Sequence, residues 1–254
     1  MKESTQIALV TGGSRGLGKD MALSLARKGQ DVIITFNNNS ADADAVVAQI
    51  IALGQKAAAL KLDVGDVSSF GHFRNTLSSL LTSSFGRDRF DYLVNNAGIG
   101  ITAGITETSE EQFDLLMNIH FKGVYFLTQK LLPVINDGGG IVNISTGLTR
   151  FVFAGYGIYA SMKSAVEALT RYEAKELGAR GIRVNTVAPG AIETDFGGGL
   201  VRDNAGVNEH IASITALGRV GTADDIGGVV AFLCSRDAKW VNGQRLEVSG
   251  GVNL

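Results

Sequence analysis

Short apolar runs alternate with longer stretches of helical period along almost the whole chain, and this alternation restricts the fold more than any other feature. Residues 7–11, 31–36, 57–62, 91–94, 141–145, 182–188 and 245–248 read as strands. Several are uniformly apolar, the pattern of a strand covered on both faces. Between them, residues 17–28, 41–53, 67–85, 110–134, 159–179 and 223–235 are each long enough for a helix. Strand and helix in turn imply parallel βαβ units with right-handed crossovers, so the expected fold is α/β, a doubly wound parallel sheet of seven strands. No proline-rich linker or internal repeat divides the sequence, and a single domain over residues 1–254 is expected. The least regular stretch, 193–217, contains Gly197-Gly198-Gly199 and reads as a substrate loop with short helices on the ligand side of the sheet.

A chain of 254 residues can bury about three quarters of its surface and needs no covalent staple. Its one cysteine, Cys234, excludes an internal disulfide and a multi-cysteine zinc site. Lys and Arg number 23 against 25 Asp and Glu, a balance that gives no general attraction to nucleic acid or an anionic membrane. The first six residues are polar, and the apolar run after them stops at Thr11-Gly12-Gly13, too short for a leader or a membrane span. No other apolar run approaches a span's length, Val252-Asn253-Leu254 carries no lipidation motif, and a cytoplasmic protein is expected. Glycine is the outlier, at 33 residues and roughly twice ordinary usage. Without a collagen period, such a count points to backbone that needs left-handed angles or close approach.

Thr11 to Gly18 reads TGGSRGLG and joins the first strand to the first helix, where a doubly wound sheet offers a helix N-terminus to a phosphate. Gly12 permits the tight turn, Gly16 lets backbone approach a pyrophosphate, and Gly18 lets the helix pack on the strand; Ser14, Arg15 and Leu17 complete the candidate cradle. A tight strand-helix connection alone would also use glycines. The second strand ends Thr35-Phe36-Asn37-Asn38-Asn39, with no carboxylate to receive an adenosine ribose 2′-hydroxyl or to repel a 2′-phosphate. Asn37 and Asn38 can donate hydrogen bonds, and Arg15 offers phosphate a cation of matching geometry, so NADP(H) is the expected cofactor. A solvated Arg15 beside an ordinary asparagine turn is the alternative.

Tyr159-Ala160-Ser161-Met162-Lys163 puts a tyrosine and a lysine at i and i+4, on one helix face. A free tyrosine, with a pKa of about 10, is a poor acid-base group near neutrality, and a neighbouring ammonium lowers that value. Alone, such a pair is often only a surface pair. Ser145 at the end of the fifth strand, 14 residues earlier, and the glycine turn upstream favour a catalytic reading.

The TGxxxGxG spacing, Asn95-Asn96-Ala97-Gly98, Tyr159-x-x-x-Lys163 and Pro189-Gly190 together resemble the short-chain dehydrogenases/reductases, and most of all the 3-oxoacyl-(acyl carrier protein) reductase-like members, over nearly the entire chain. That resemblance implies a Rossmann fold and reversible hydride transfer between NADP(H) and a CH–OH/C=O pair. It implies that Asp63 holds the adenine amino group while Val64 covers the ring. Asn95, Ala97 and Gly98 are expected to face the cofactor and tie strand ends together, although without the family NNAG would be an ordinary turn. Pro189 and Gly190 lead to Ile192 and Thr194, which would contact the nicotinamide carboxamide and the phosphates. Ser145 would hydrogen-bond the substrate carbonyl, Tyr159 would protonate it during reduction, and Lys163 would tune Tyr159 and bind the nicotinamide ribose. Asn118 falls where the family has a helix asparagine that positions a water between the lysine and solvent. Two departures stand out: the usual Ser-Ser is Ser145-Thr146, with the first hydroxyl taken as catalytic, and the Ser145–Tyr159 interval is one residue longer than in many members.

Leu148, Phe151, Phe153, Tyr156 and Phe196, with Ile192, fall in segments that border the family's active site and imply an apolar, aromatic pocket. The expected activity is NADPH-dependent reduction of a ketone to a secondary alcohol. A 3-oxoacyl-(acyl carrier protein) reductase is the second reading, weakened because residues 129–137 hold one lysine and no arginine and because Lys175 stands where an arginine is common. A cofactor-binding sensor without turnover is the third. The resemblance also implies a homotetramer. His72, His120 and His210 lack metal-ligand spacing, and no metal or catalytic role is expected of them. Cys234 reads as a buried thiol, Trp240 as an anchor, and Asp224-Asp225 as favourable charge at a helix start with Thr222 as its cap.

Overall fold

A computed structural model describes residues 5–254. The elements are β1 (Ile7–Val10), α1 (Gly16–Arg27), β2 (Asp31–Phe36), α2 (Ser40–Ala52), β3 (Ala57–Lys61), α3 (Phe70–Leu80), β4 (Phe90–Asn95), α4 (Glu110–Met117) and α5 (Gly123–Leu131). There follow β5 (Ile135–Ile144), α6 (Gly157–Glu176), β6 (Arg183–Pro189), α7 (Leu200–Asp203), α8 (Ala205–Ser213), α9 (Asp224–Leu233) and β7 (Arg245–Val248). The seven strands form one parallel sheet in the order β3-β2-β1-β4-β5-β6-β7. The order reverses between β1 and β4, so the crevice for a ligand lies at the carboxyl ends of these two strands.

Side chains alternate across the pleat, and each face has its own core. Ala8, Val10, Val32, Ile34, Val94 and Val142 meet Met21, Val46 and Ile226 on one side. Ile7, Leu9, Ile33, Leu93 and Ile141 meet Phe70, Phe73, Leu77 and Leu127 on the other. Burial on both faces is the physical reason β1 is apolar at every position. The edge strands β3 and β7 are only half-buried over most of their length.

Three segments depart from the expected elements. β5 starts at Ile135 rather than 141, and its pairing with β4 jumps from Phe90–Ile135 to Tyr92–Gly140. Gly138, Gly139 and Gly140 therefore form an irregular strand entry and not a free turn; a Cβ on Gly139 would stand 2.3 Å from the Asp91 carbonyl oxygen. The helix expected over 110–134 is opened by a π-helical turn, Asn118–Lys122, between α4 and α5. Glycine at 123 is required there, because a Cβ would stand 2.2 Å from the Val64 carbonyl oxygen. The 193–217 stretch contains α7 and α8 after a short helical turn at Phe196–Gly199.

A buried polar network crosses the second face of the sheet. Asn95 Nδ2 donates to Thr128 Oγ1 and Asn143 Oδ1, and Asn143 Nδ2 donates to Thr170 Oγ1 and Glu173 Oε2. Burial pushes the Glu173 carboxyl up to about 7. The folded chain thus holds this proton more tightly than the unfolded one, and stability declines as pH rises from about 4.5 to about 7. Glu173→Gln keeps an acceptor for Asn143 and cannot ionise. It is expected to raise the unfolding free energy at pH 8 by roughly 2 kcal/mol, and to change it little at pH 4.5, in denaturant titrations at the two pH values.

Candidate active site

The glycine turn closes tightly onto an uncapped helix N-terminus. Gly12 and Gly16 have φ of +64° and +53°, and a Cβ on Gly18 would stand 2.1 Å from the Gly12 carbonyl oxygen. The α1 N-terminus has no side-chain cap and no acidic residue in its first turn, so its N–H groups stay open to an anion. Thr194 lies against the Gly16 Cα position, which brings the segment after Pro189-Gly190 to the turn. Exposed Arg15, Asn37 and Asn38 stand at the turn and at the end of β2, with Ser14 and Leu17 partly buried between. Exposed Asp63 accepts from the Gly65 N–H at 2.8 Å, and Val64 packs on the core beside it.

The NNAG segment does more structural work than expected. Thr11 Oγ1 accepts from the N–H groups of Asn96 and Ala97, both at 3.0 Å, and Asn96 Nδ2 donates to the Thr11 and Gly12 carbonyls. Asn96, omitted from the expected set, is thus what fixes the glycine turn to β4. Asn95 Nδ2 donates into the network beneath the sheet. Ile192 bridges to Gly221 and packs on the core.

At the end of β5 the two consecutive hydroxyls point in different directions, as successive strand residues must. Ser145 Oγ donates to Glu167 Oε1 at 2.6 Å. Thr146 is the hydroxyl that acts on the Tyr159 phenol. Ser145, the hydroxyl expected to meet the substrate, is thus given to Glu167, and Thr146 is the hydroxyl beside the phenol.

Tyr159 and Lys163 are both buried on the same face of α6. Lys163 Nζ donates to the Ile144 carbonyl at 2.7 Å and stands 5.9 Å from the Tyr159 ring centroid. Burial brings the Lys163 ammonium down to about 8. Burial also pushes the Tyr159 phenol well above the usual tyrosine range, against the expected lowering by the lysine. In this arrangement Tyr159 is a proton holder at neutral pH.

Asn118 opens the π-helical turn, and His120 stands two residues later in it. Its ring meets Tyr159 edge-on at 5.1 Å, and its Nε2 lies 2.8 Å from the Ile99 carbonyl oxygen. Burial, with the Lys163 charge, brings its pKa down to about 3. Gly98 makes room for it, since a Cβ there would stand 2.6 Å from His120 Cε1.

Of the expected substrate residues, Phe196 reaches Tyr159 at 5.7 Å between ring centroids, and Tyr156 acts on the same phenol. Phe151 and Phe153 pair with each other at 5.6 Å, beside Gly147. Leu148 stands in the short turn Gly147–Thr149, its N–H donating to Thr146 Oγ1. The loop is tied to the far end of the chain: Arg245 donates to Glu167, Glu247, Thr149 Oγ1 and the Thr146 carbonyl, and Arg150 donates to Glu247 and the Val252 and Asn253 carbonyls. Gly197, Gly198 and Gly199, with φ of 62°, 77° and 78°, carry the chain away from Phe196 in left-handed steps.

Elsewhere, Cys234 is buried as expected and its thiol is pushed up to about 12. Trp240, read as an anchor, is 96% exposed. Thr222 does not cap α9; its N–H and hydroxyl donate to Asp225, which also pairs with Arg219. No group of three His, Cys, Asp or Glu able to hold a metal occurs among the described residues, and none of the described helices is long and apolar enough to cross a membrane.

A family profile described as enoyl-(acyl carrier protein) reductase matches residues 12–253. An uncharacterised oxidoreductase of Methylorubrum extorquens is 38% identical over 248 residues, covering 97% of each chain. A hydroxynaphthalene reductase-like protein of Metarhizium brunneum is 34% identical, over 97% of this chain and 94% of its own. Among solved structures, the promiscuous reductase LugOII, which catalyses keto-reduction at C1 in lugdunomycin biosynthesis, superposes with a TM-score of 0.93 at 36% identity over 99% of both chains. The angucycline C-6 ketoreductase LanV with bound NADP gives a TM-score of 0.93 at 33% identity, over 98% of this chain and 96% of its own. Glycine cradle, sheet order, and a buried tyrosine–lysine pair agree with these likenesses, and the chain belongs to the short-chain dehydrogenase/reductase family of oxidoreductases.

Proposed function

We propose that this protein reduces a ketone on an aromatic or other bulky apolar body to a secondary alcohol, using NADPH. The observation that carries the reading is the convergence of Thr146, Tyr159 and Lys163 at the carboxyl end of β5, beside the glycine cradle. NADPH supplies a hydride when bound. Gly12, Gly16 and the open α1 N-terminus receive its phosphates, and Arg15 with Asn37 and Asn38 the adenosine 2′-phosphate. The Thr146 hydroxyl donates to the substrate oxygen and fixes it near Tyr159. The Tyr159 phenol gives that oxygen its proton, and Lys163 keeps positive charge near the phenolate that remains.

Phe196 and Tyr156 stand at Tyr159 and suit a flat, apolar substrate. Relatives named for hydroxynaphthalene and angucycline substrates support the same class. The acyl carrier protein in the family profile's description supports a thioester as the second reading, with exposed Lys130 and Lys175 the cations nearest the sequence positions expected to dock it. A homotetramer is proposed from the family resemblance.

NADPH oxidation is to be measured against fused-ring aromatic ketones, aliphatic ketones and an acetoacetyl thioester. The expected result is a kcat/KM at least about tenfold higher for the aromatic ketones, with NADPH preferred over NADH, since one lost charge-assisted phosphate contact costs roughly 1.5–3 kcal/mol. A thioester preference reverses the ordering of the two readings, and equal efficiency with NADH removes the assignment of Arg15.

A further inference from the structure

We infer that Gly100 is a positioning residue for substrate choice: by lacking a side chain it seats Phe196 beside Tyr159, and that seat selects flat aromatic ketones. The inference rests on the carbonyl-reduction reading above. Its basis is a close approach that the glycine's own backbone does not require. Gly100 is not among the glycines with a left-handed φ, so alanine fits its conformation. What alanine lacks there is room. A Cβ at 100 would stand 2.9 Å from Phe196 Cε1 and 3.1 Å from both the nitrogen and the Cα of Gly197. Carbon atoms in good contact lie about 3.5–4.0 Å apart, so the missing side chain is what lets Phe196 and the chain behind it come so near.

Phe196 in turn touches the site. Its ring centroid lies 5.7 Å from that of Tyr159 at an angle of 51°, and the ring is half-exposed, which leaves part of it open to a ligand. The β4–α4 segment that carries Gly100 is held on both sides of it. His120 Nε2 lies 2.8 Å from the Ile99 carbonyl oxygen, and the Ala103 N–H donates to the Gly155 carbonyl at 2.9 Å. The turn at Phe196 is tied within its own loop: the Phe196 N–H donates to Thr194 Oγ1, the Gly198 N–H donates to the Asp195 carbonyl, and Arg202 pairs with Asp195 and Asp203. Gly197 and Gly198 have no atom within 4 Å of a Cβ position, so this turn has space to shift. A methyl group at 100 is therefore accommodated by the loop and not by the doubly held segment, and Phe196 Cε1 has to withdraw by roughly half an ångström or more. The three atoms nearest that methyl position all belong to Phe196 and Gly197. Gly100 thus acts on the site through Phe196 and leaves the proton donor in place.

The test is Gly100→Ala, with native folding and NADPH affinity confirmed by thermal unfolding and cofactor fluorescence. KM for a fused-ring aromatic ketone is expected to rise roughly three- to tenfold, the worth of one aromatic contact, with kcat within about twofold. A small aliphatic ketone offers Phe196 no ring, and its KM should change less than about twofold. In a Phe196→Ala background the same substitution is expected to add nothing, because two changes that act through one contact are not additive. A crystal structure of Gly100→Ala is expected to show Phe196 displaced from its contact with Tyr159. Equal KM changes for the two ketones, full additivity with Phe196→Ala, or an unmoved Phe196 overturns the inference. If the variant does not fold, a crystal structure of the native enzyme with a fused-ring aromatic alcohol decides: Phe196 lying against both Gly100 and the alcohol supports the inference, and Phe196 clear of Gly100 overturns it. Loss of the carbonyl-reduction reading would instead appear as absence of ketone turnover by the native enzyme, with the displacement of Phe196 in the variant unaffected.

Discussion

Tyr159→Phe is expected to reduce ketone turnover by about three orders of magnitude while NADPH affinity stays within about twofold, general acid catalysis by a positioned side chain being worth 10²–10⁴. The substitution removes one oxygen from a side chain that is 7% exposed and leaves its ring contacts with His120 and Phe196 available. Any lost rate is then attributable to the proton and not to packing. In the native enzyme the rate of reduction should fall as pH rises through about 8, where Lys163 loses its charge. Stopped-flow NADPH oxidation together with fluorescence titration of the cofactor separates the outcomes. Full activity in the variant would place the proton donor elsewhere, and a native protein that binds NADPH but turns over no carbonyl would favour a sensor.

Thr146→Val and Ser145→Ala should have opposite profiles. Removing a donor to a developing oxyanion typically costs 10²–10³ in rate, so Thr146→Val is expected to lower kcat/KM by about two orders of magnitude, with Thr146→Ser retaining most of it. Ser145→Ala removes only one of the hydrogen bonds on Glu167, which keeps Thr149 and Arg245. It is expected to cost about 1 kcal/mol of stability and less than threefold in kcat/KM. Urea unfolding and steady-state kinetics on both variants check the contrast. A large kinetic loss in Ser145→Ala with little in Thr146→Val would return the substrate oxygen to the serine.

The sheet was legible because strands covered on both faces are apolar throughout and the helices between them are amphipathic. The glycine cradle was legible because its chemistry depends on which positions lack a side chain. Direction was not legible. Ser145 and Thr146 both carry hydroxyls, and composition does not tell which one turns to Glu167 and which to Tyr159. His120 lies in a turn with π-helical spacing, where helix periodicity no longer tells that its ring faces Tyr159 on α6. Gly138 to Gly140 fell outside the expected strand because a strand that needs glycine for close backbone approach has the composition of a turn. Trp240 was read as an anchor, and among the described residues its side chain is 96% exposed.

The arginine tie between β7 and the catalytic loop has a consequence for the order in which the molecule matures. Arg245 reaches the Thr146 carbonyl across 99 positions of sequence, and Arg150 reaches Val252 across 102. Chains emerge from the ribosome N-terminus first, at roughly 5–20 residues per second. The cofactor cradle and the tyrosine helix are therefore synthesised seconds before the guanidinium that fixes the loop beside them. Until β7 adds to the edge of the sheet, a nascent chain has its cradle residues in hand but no clamp on Thr146. The loop that carries Thr146 thus gains its guanidinium ties only with the last strand.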